Sequence, residues 1–195
     1  MSTNVRPVRD ERDGLLAFLA QQRYVLSLAA HGLTDEQARR VPSRSALSIG
    51  GLIKHAARTE RGWMDTVLQR RPEGTLQQRA EQYLADFQLT GSETLADVIA
   101  EYRQAGRETE EVISAIPDLG KPVPVPKGVP WFPPDVDEWS VRWVLLHLIQ
   151  ETARHAGHAD IIREHLDGAT AFPLMAAAEG WPETPWIKPW KPDPV

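Results

Sequence analysis

Ser140–Gly168, SVRWVLLHLIQETARHAGHADIIREHLDG, is the stretch from which the fold of this chain can be predicted. Ser140 can cap the first turn of a helix, and Gly168 stands just after the last leucine, where a glycine can end it. At about 100° per residue, the apolar side chains between these ends fall on one arc. They are Val141, Val144, Leu145, Leu148, Ile162 and Leu166. We therefore predict one long helix that buries this arc inside the protein.

The same helix carries four histidines, which are His147, His155, His158 and His165. His155 lies within the apolar arc and Glu151 lies at its edge, so both side chains are expected to point into the protein. Four residues turn a helix by about 40° more than one full turn, so these two side chains project in similar directions. A carboxylate and an imidazole in this arrangement form half of a metal site.

Three more helical patterns precede this one. They run from Arg9 to about His31, from about Ile49 to Gln69 after a capping Ser48, and from about Ser92 to Ile116. The segment 70–91 is charged and irregular, with room for one short helix; its expected anchors are Tyr83, Phe87 and Leu89. Four long helices predict an all-α protein, and specifically a four-helix bundle over residues 1–168.

A long proline-rich connection separates the third long helix from the last one. Residues 117–138 contain seven prolines, which exclude a helix and favour extended chain. A connection of this length in a compact bundle crosses over or covers a site, and Trp131 and Phe132 are its expected anchors. Residues 169–195 form a tail that we expect to pack on the bundle within a single domain. Its tryptophans are Trp181, Trp186 and Trp190.

Two charged side chains fall on inward helix faces and need partners. Arg23 lies within the apolar face of the first helix and Glu60 within that of the second, and an unpaired buried carboxylate is costly. We predict an ion pair between them. On the last helix, Asp160 lies about 140° away from His155, and we expect it to pair with Arg163 on the outer surface.

The composition restricts the chemistry. The chain has 195 residues, of which 42% are hydrophobic, and this suffices for a sizeable core in one domain. A formal net charge of −5 gives no reason to expect nucleic acid as a partner. The sequence has neither a membrane-spanning run nor a signal segment, which predicts a cytoplasmic protein. Because the chain lacks cysteine, any metal must be held by nitrogen and oxygen.

The candidate metal ligands are His55, Glu151 and His155. Catalytic zinc sites take three protein ligands and leave one position open, so a third ligand must come from a facing helix. His55 lies beside the apolar stripe of the second long helix, whereas His31 and His165 stand at helix ends. Nitrogen and oxygen ligands also suit nickel, iron or manganese.

Several alternatives remain open on the residues alone. His155 and His158, three residues apart, could hold a metal as a pair. His147 or His158 could instead line a pocket or carry a proton, since histidine titrates near neutrality. A histidine on an apolar face is also often only a hydrogen-bonded core residue. Glu60 is one candidate for the acceptor of the second ring N–H of His155, in competition with its pairing to Arg23.

Four segments resemble the DinB-like superfamily, in particular its branch similar to mycothiol-dependent maleylpyruvate isomerase. They are GLTDEQARRVPS (Gly32–Ser43), LSIGGLIKHAARTERGW (Leu47–Trp63), RWVLLHLIQETARHAGHADIIREHLDGAT (Arg142–Thr170) and WPETPWIKPW (Trp181–Trp190). The resemblance implies a four-helix bundle whose metal is held by His55, Glu151 and His155. Many members use three histidines, and Glu151 departs from that pattern to match the His-Glu-His pattern of the isomerase branch. His158 stands where many members have glutamine, which implies a pocket residue.

The resemblance further implies a zinc-dependent S-transferase or isomerase that joins a small thiol, mycothiol or a relative, to a small-molecule electrophile. Coordination would keep the thiol deprotonated for attack near neutral pH, while His158 or His147 moves the proton. One alternative is a metal-dependent hydrolase with an activated water. Another is a non-enzymatic, stress-related bundle that binds a metal or ligand. A homodimer is in keeping with such proteins.

Overall fold

The computed structural model describes residues 4–71, 73–129 and 132–192. It is predominantly helical, as the sequence predicts, and its described residues form seven helices and one two-stranded sheet. The helices are α1 (Glu11–Leu28), α2 (Asp35–Arg39), α3 (Ile49–Val67), α4 (Leu76–Ala85), α5 (Leu95–Ala115), α6 (Val141–Asp167) and α7 (Ala171–Glu179). The strands are β1 (Pro122–Pro124) and β2 (Glu138–Ser140).

The helix ends that matter most lie where the sequence predicts them. Oγ of Ser48 accepts a hydrogen bond from the backbone N–H of Gly51 at the start of α3. Oγ of Ser140 accepts one from the N–H of Trp143 at the start of α6. Each serine thus satisfies an N–H that the helix itself leaves unpaired. α6 ends at Gly168, whose φ of +72° lies in the left-handed region that favours glycine.

The four long helices contact one another and enclose the apolar interior. α3 packs against α5 and α6, and α1 packs against α6 and α5. One apolar cluster contains Leu52 and Tyr102, and a second contains Leu19 and Leu145. This packing brings one face of α3 opposite one face of α6. None of the helices in the described ranges is long and apolar enough to span a membrane.

The proline-rich connection is extended at both ends. β1 pairs antiparallel with β2, with Val123 opposite Trp139. Val123 is buried in the apolar cluster that contains Leu19 and Leu145. Phe132 is partly buried and packs against that cluster, as predicted for an anchor. The other expected anchor, Trp131, lies outside the described residues.

The predicted Arg23–Glu60 ion pair between α1 and α3 is confirmed. Nε of Arg23 donates to Oε2 of Glu60 at 3.1 Å, and Nη2 donates to Oε1 at 2.5 Å. The two side chains are 11% and 2% exposed, so this bidentate contact satisfies charges that are largely removed from water. Gly106 of α5 faces the guanidinium, and a Cβ there would lie 3.3 Å from it, so the glycine leaves room for the pair.

The predicted Asp160–Arg163 pair is wrong. Arg163 is fully buried and forms its ion pair with Asp167, one turn further along α6. Its Nη1 also donates to the backbone carbonyls of Ala29 and His31, at 2.9 and 2.7 Å. Arg163 points inward because those carbonyls, at the end of α1, have no helical partners of their own. Asp160 is half-buried rather than on the outer surface, and burial raises the pKa of its carboxyl.

The tail contains a helix, α7, that the sequence analysis does not predict. Trp181 and Trp190 pack partly buried against a small apolar cluster that includes Leu28 and Leu174. The prediction for Trp186 is wrong, since this side chain is 91% exposed. Two of the three tail tryptophans therefore cover the helices.

Candidate metal centre

The three predicted ligands come together between α3 and α6. His55 comes from α3, and Glu151 and His155 come from consecutive turns of α6. One ligand atom from each residue lies within 4.8 Å of the other two. Oε1 of Glu151 lies 3.1 Å from Nε2 of His155 and 3.6 Å from Nε2 of His55. For the alternative His155–His158 pair, His158 is not part of this cluster among the described residues, and its ring lies 5.6 Å from that of His155 between centroids.

His55 is held by aromatic neighbours from α4 and from the segment after it. Phe87 stacks on its ring, with 3.9 Å between centroids and 19° between planes, and Tyr83 approaches edge-on at 5.3 Å. This segment comes close to α3 because Gly51, one turn before His55, has no side chain. A Cβ on Gly51 would lie 1.8 Å from the carbonyl oxygen of Phe87. The glycine is therefore a steric requirement for the aromatic packing around His55.

The cluster carries negative charge. Hydrogen bonding to His155, and then to His55, holds the pKa of the Glu151 carboxyl well below its usual range. Glu151 is therefore ionised at neutral pH. Its side chain is 28% exposed, whereas His55 is almost fully buried at 1%. An anionic oxygen between two imidazoles, at the edge of solvent, is suited to a divalent cation.

The spacing of the donor atoms fits a metal. Zinc bonds to nitrogen and oxygen are about 2.0–2.1 Å long, so two ligands at a tetrahedral angle lie roughly 3.3 Å apart. The two measured separations of Nε2 from Oε1, 3.1 and 3.6 Å, bracket that value. Nδ1 of His55 and of His155 are both buried and have no hydrogen-bond partner among the described residues. Glu60 is thus not the acceptor for His155, since both of its oxygens bind Arg23.

A cavity of about 770 Å³ opens beside His55 and Glu151, which form part of its lining. One wall is mostly polar and comes from α3, α4 and the residue after α4: Arg58, Thr59, Arg79, Gln82, Tyr83 and Asp86. A second wall is largely apolar and comes from α3, α6 and the proline-rich connection: Trp63, Pro126, Val129, Phe132 and His147. The connection therefore borders the candidate site, as its length predicts.

His147 and His158 occupy different positions. His147 lines the cavity, stacks on Trp143 and meets Trp63 edge-on with 4.9 Å between centroids. Burial lowers the pKa of its imidazole. His158 lies beside His155 and is not among the described residues that line the cavity. Burial lowers the pKa of its imidazole, and the nearby charge of His155 lowers it further.

Several residues of this site are not predicted from the sequence. Tyr83 and Phe87 are expected only as anchors of an irregular segment, whereas both contact the ring of His55. Trp63 forms part of the cavity wall. Its position eight residues after His55, about two helical turns, is the signal that places both on one face. The pairing of Arg58 with Asp86 has no such local signal.

Comparison with known proteins bears on the same residues. The family model described as MST: Mycothiol-S-transferase matches residues 14–168, a range that includes His55, Glu151 and His155. Comparison with curated proteins found no match. The family match spans more than half of the chain and ends with α6.

Proposed function

Because the chain belongs to the mycothiol-S-transferase family, we propose that it is a metal-dependent enzyme that joins a low-molecular-weight thiol, mycothiol or a close relative, to a small electrophile. The observation that carries the proposal is the cluster of His55, Glu151 and His155 beside an open cavity of about 770 Å³. Structural metal sites are usually closed by four protein ligands, whereas catalytic ones have three and an open position. Three ligand residues in the described part of the chain favour the catalytic class.

We propose zinc as the metal. Two imidazoles and one carboxylate are an established ligand set of catalytic zinc, although nickel, iron and manganese accept the same donors. A divalent metal held by these residues supplies positive charge that lowers the pKa of a neighbouring thiol. The ionised Glu151 partly neutralises that charge and orients the two imidazoles through its contacts with both.

The residues of the chain have separable tasks in the transfer. The thiol loses its proton, its sulfur bonds to the electrophilic carbon, and the leaving group departs with the electron pair of the broken bond. We assign the proton to His147, because it lines the cavity and its lowered pKa keeps the imidazole neutral and able to accept. The sequence leaves His147 and His158 as candidates for this role. We favour His147 because His158 does not line the cavity.

The family and the helix contacts also support a finer description of the fold. We propose that α1, α3, α5 and α6 form a four-helix bundle, since each contacts at least two of the other three. The tail that follows α6 adds a cover, through Trp181 and Trp190, to the same domain. Residues 1–168 and the tail would then unfold as one unit.

The first experiment measures metal and thiol dependence on the same preparation. Elemental analysis of the purified protein should find about one divalent metal per chain. Conjugation of monobromobimane should require added mycothiol and should be lost in His155→Ala, because one of three ligands is removed. His165→Ala is the matched control. His165 is an exposed histidine on the same helix, and in the described part of the structure its ring forms a hydrogen bond only with the backbone oxygen of Ile161.

The outcomes separate the rival functions. Conjugation that needs thiol and metal supports the proposal. Hydrolytic turnover of ester or amide substrates without thiol would replace it with a metal-dependent hydrolase. Metal bound at one per chain, with neither thiol transfer nor hydrolysis, would contradict an enzymatic role and favour a binding protein. Full activity in His155→Ala would contradict the assignment of the ligands.

A further inference from the structure

A stack of rings supports His147 in the apolar wall of the cavity. Trp139 and Trp143 are parallel, with 4.0 Å between centroids and 6° between planes, and His147 continues the stack at 5.1 Å and 6°. Trp63 meets His147 edge-on at 4.9 Å and lies 6.0 Å from Phe132. Rings that contact one another in this way hold fixed orientations, with Trp63 inclined by 66° to His147 and by 45° to Phe132.

Three of these rings, Trp63, Phe132 and His147, line the cavity next to the candidate metal ligands. Trp63 and His147 lie on the same two helices as His55 and Glu151, and Phe132 adds a third ring from the proline-rich connection. Trp63 is 8% exposed, so most of its ring is fixed by packing and only an edge of it meets the cavity. Phe132 is less buried and comes from a loop, so it is the ring that a substitution can remove with least effect on the core.

The two walls differ in kind. The apolar wall has no formally charged side chain other than the titratable His147, whose imidazole is neutral near pH 7 because burial lowers its pKa. The wall from α4 carries Arg79 and Asp86 together with the ring of Tyr83, and α3 adds Arg58. A ligand with a flat, uncharged part therefore gains more apolar contact beside Trp63, Phe132 and His147, whereas a hydrophilic ligand is better accommodated beside the charged groups.

From this asymmetry we infer that the electrophile of the proposed transfer is a planar aromatic or conjugated molecule, bound against Trp63, Phe132 and His147, with Phe132 as a specificity-determining residue. The inference rests on the proposed thiol transfer for its reaction, but the binding surface exists independently of it. For an aryl halide, the thiol sulfur bonds to the ring carbon, the carbon–halogen bond breaks, and halide leaves with the electron pair. The thiol proton passes to His147.

The kinetic test compares two electrophiles with one thiol. For mycothiol with 1-chloro-2,4-dinitrobenzene, Phe132→Ala should lower kcat/KM about tenfold, because a ring contact is lost. For iodoacetamide, which has no ring, the same variant should stay within about twofold, since no comparable contact exists. Phe132→Tyr should retain the preference for the aromatic substrate, and Phe132→Leu should retain only part of it. Phe172→Ala, an exposed ring on α7 that does not line the cavity, is the control.

A binding test uses no catalysis and no metal. 1,3-Dinitrobenzene does not react with thiols under these conditions and quenches tryptophan fluorescence on contact. Metal-stripped wild-type protein should show saturable quenching, with a dissociation constant that rises about tenfold in Phe132→Ala and is unchanged in Phe172→Ala. Circular dichroism of each variant establishes that the helices are retained.

The two tests fail in distinguishable ways. If neither electrophile reacts in wild type but dinitrobenzene binding depends on Phe132, the proposed reaction is wrong and the aromatic site stands. If Phe132→Ala slows both electrophiles equally, or leaves dinitrobenzene binding unchanged, the aromatic specificity is overturned even though thiol transfer is real.

Discussion

Oε1 of Glu151 lies 3.6 Å from Nε2 of His55, although the two residues belong to different helices and are almost a hundred positions apart in the chain. α3 and α6 pack face to face, and His55 of α3 lies at the level of Glu151 and His155 of α6. The approach of an anionic oxygen to a buried imidazole is the structural basis for regarding this cluster as a metal centre rather than as an isolated core histidine.

Glu151→Gln should weaken metal binding while preserving the shape of the site. The amide has the same size as the carboxylate but carries no charge, so the metal content of the purified protein should fall from about one per chain to about a tenth of that. Inductively coupled plasma mass spectrometry measures it. Glu164→Gln is the matched control, since Glu164 is an exposed carboxylate on the same helix. Undiminished metal in Glu151→Gln would remove Glu151 from the ligand set.

The cluster of His55, Glu151 and His155 was predictable because each of its parts has a local signature. Glu151 and His155 are one turn apart on a periodic apolar face, and His55 stands beside a second such face. The surroundings of the ligands had no such signature. Phe87 reaches His55 from thirty-two positions away, and helical periodicity carries no information on which loop will pack against which helix.

The predicted Asp160–Arg163 pair is wrong and α7 was not predicted, for related reasons. Arg163 has carboxylates at helical spacing on both sides, Asp160 and Asp167, and spacing alone cannot choose between them. The choice is made by the carbonyls of Ala29 and His31, which draw the guanidinium inward toward Asp167. α7 is only nine residues long and contains a proline in its first turn, so its periodicity is too short to identify from sequence.

Glu60→Gln should destabilise the protein strongly. Removing the charge leaves the largely buried guanidinium of Arg23 without its bidentate partner, which typically costs about 3–5 kcal/mol in the free energy of unfolding. Glu110, whose side chain is half-exposed and 3.0 Å from Arg23, can offset only part of this loss. Urea denaturation followed by circular dichroism gives the free energy.

The control for this prediction is an exposed pair of the same chemistry. Glu11→Gln breaks the contact with Arg142, whose side chain is 42% exposed, and should leave the free energy of unfolding nearly unchanged because solvent screens this pair. The double variant Arg23→Met/Glu60→Leu should recover much of the stability lost in Glu60→Gln, because it leaves no unpaired charge. Equal losses of unfolding free energy in Glu60→Gln and Glu11→Gln would show that burial does not determine how much the Arg23–Glu60 pair contributes to stability.

Gly51→Ala should disturb the aromatic packing around His55. A Cβ at this position cannot coexist with the carbonyl of Phe87 at 1.8 Å, so the segment after α4 must move away from α3. Overpacking of this kind costs about 1–3 kcal/mol in the free energy of unfolding. Gly62→Ala on the same helix is the control, since nothing lies within 4 Å of its Cβ position. It should be neutral or stabilise slightly, because alanine favours helix more than glycine does. A neutral Gly51→Ala would contradict the close approach of the segment.

Glu93→Gln should remove part of the acid sensitivity of folding. Burial would raise the pKa of Glu93, but hydrogen bonds from Lys54 and from the backbone of Thr90 outweigh it and lower the pKa to about 2. Nζ of Lys54, almost fully buried, lies 2.8 Å from Oε2 of Glu93 and 3.0 Å from the carbonyl of Gln88. These contacts fix the segment that carries Phe87 against α3.

The sign of the effect follows from the two pKa values. The folded state binds a proton on Glu93 less readily than the unfolded state, whose pKa is near 4.5. The contribution of Glu93 to stability is therefore complete above about pH 4.5 and is lost as the pH falls toward 2. The free energy of unfolding, measured by urea denaturation across this range, should decline less steeply in Glu93→Gln than in wild type. Lys54→Met should flatten the curve in the same way, because it removes the partner that lowers this pKa. If the difference between wild type and Glu93→Gln were independent of pH, the Lys54–Glu93 contact would not stabilise the ionised carboxylate.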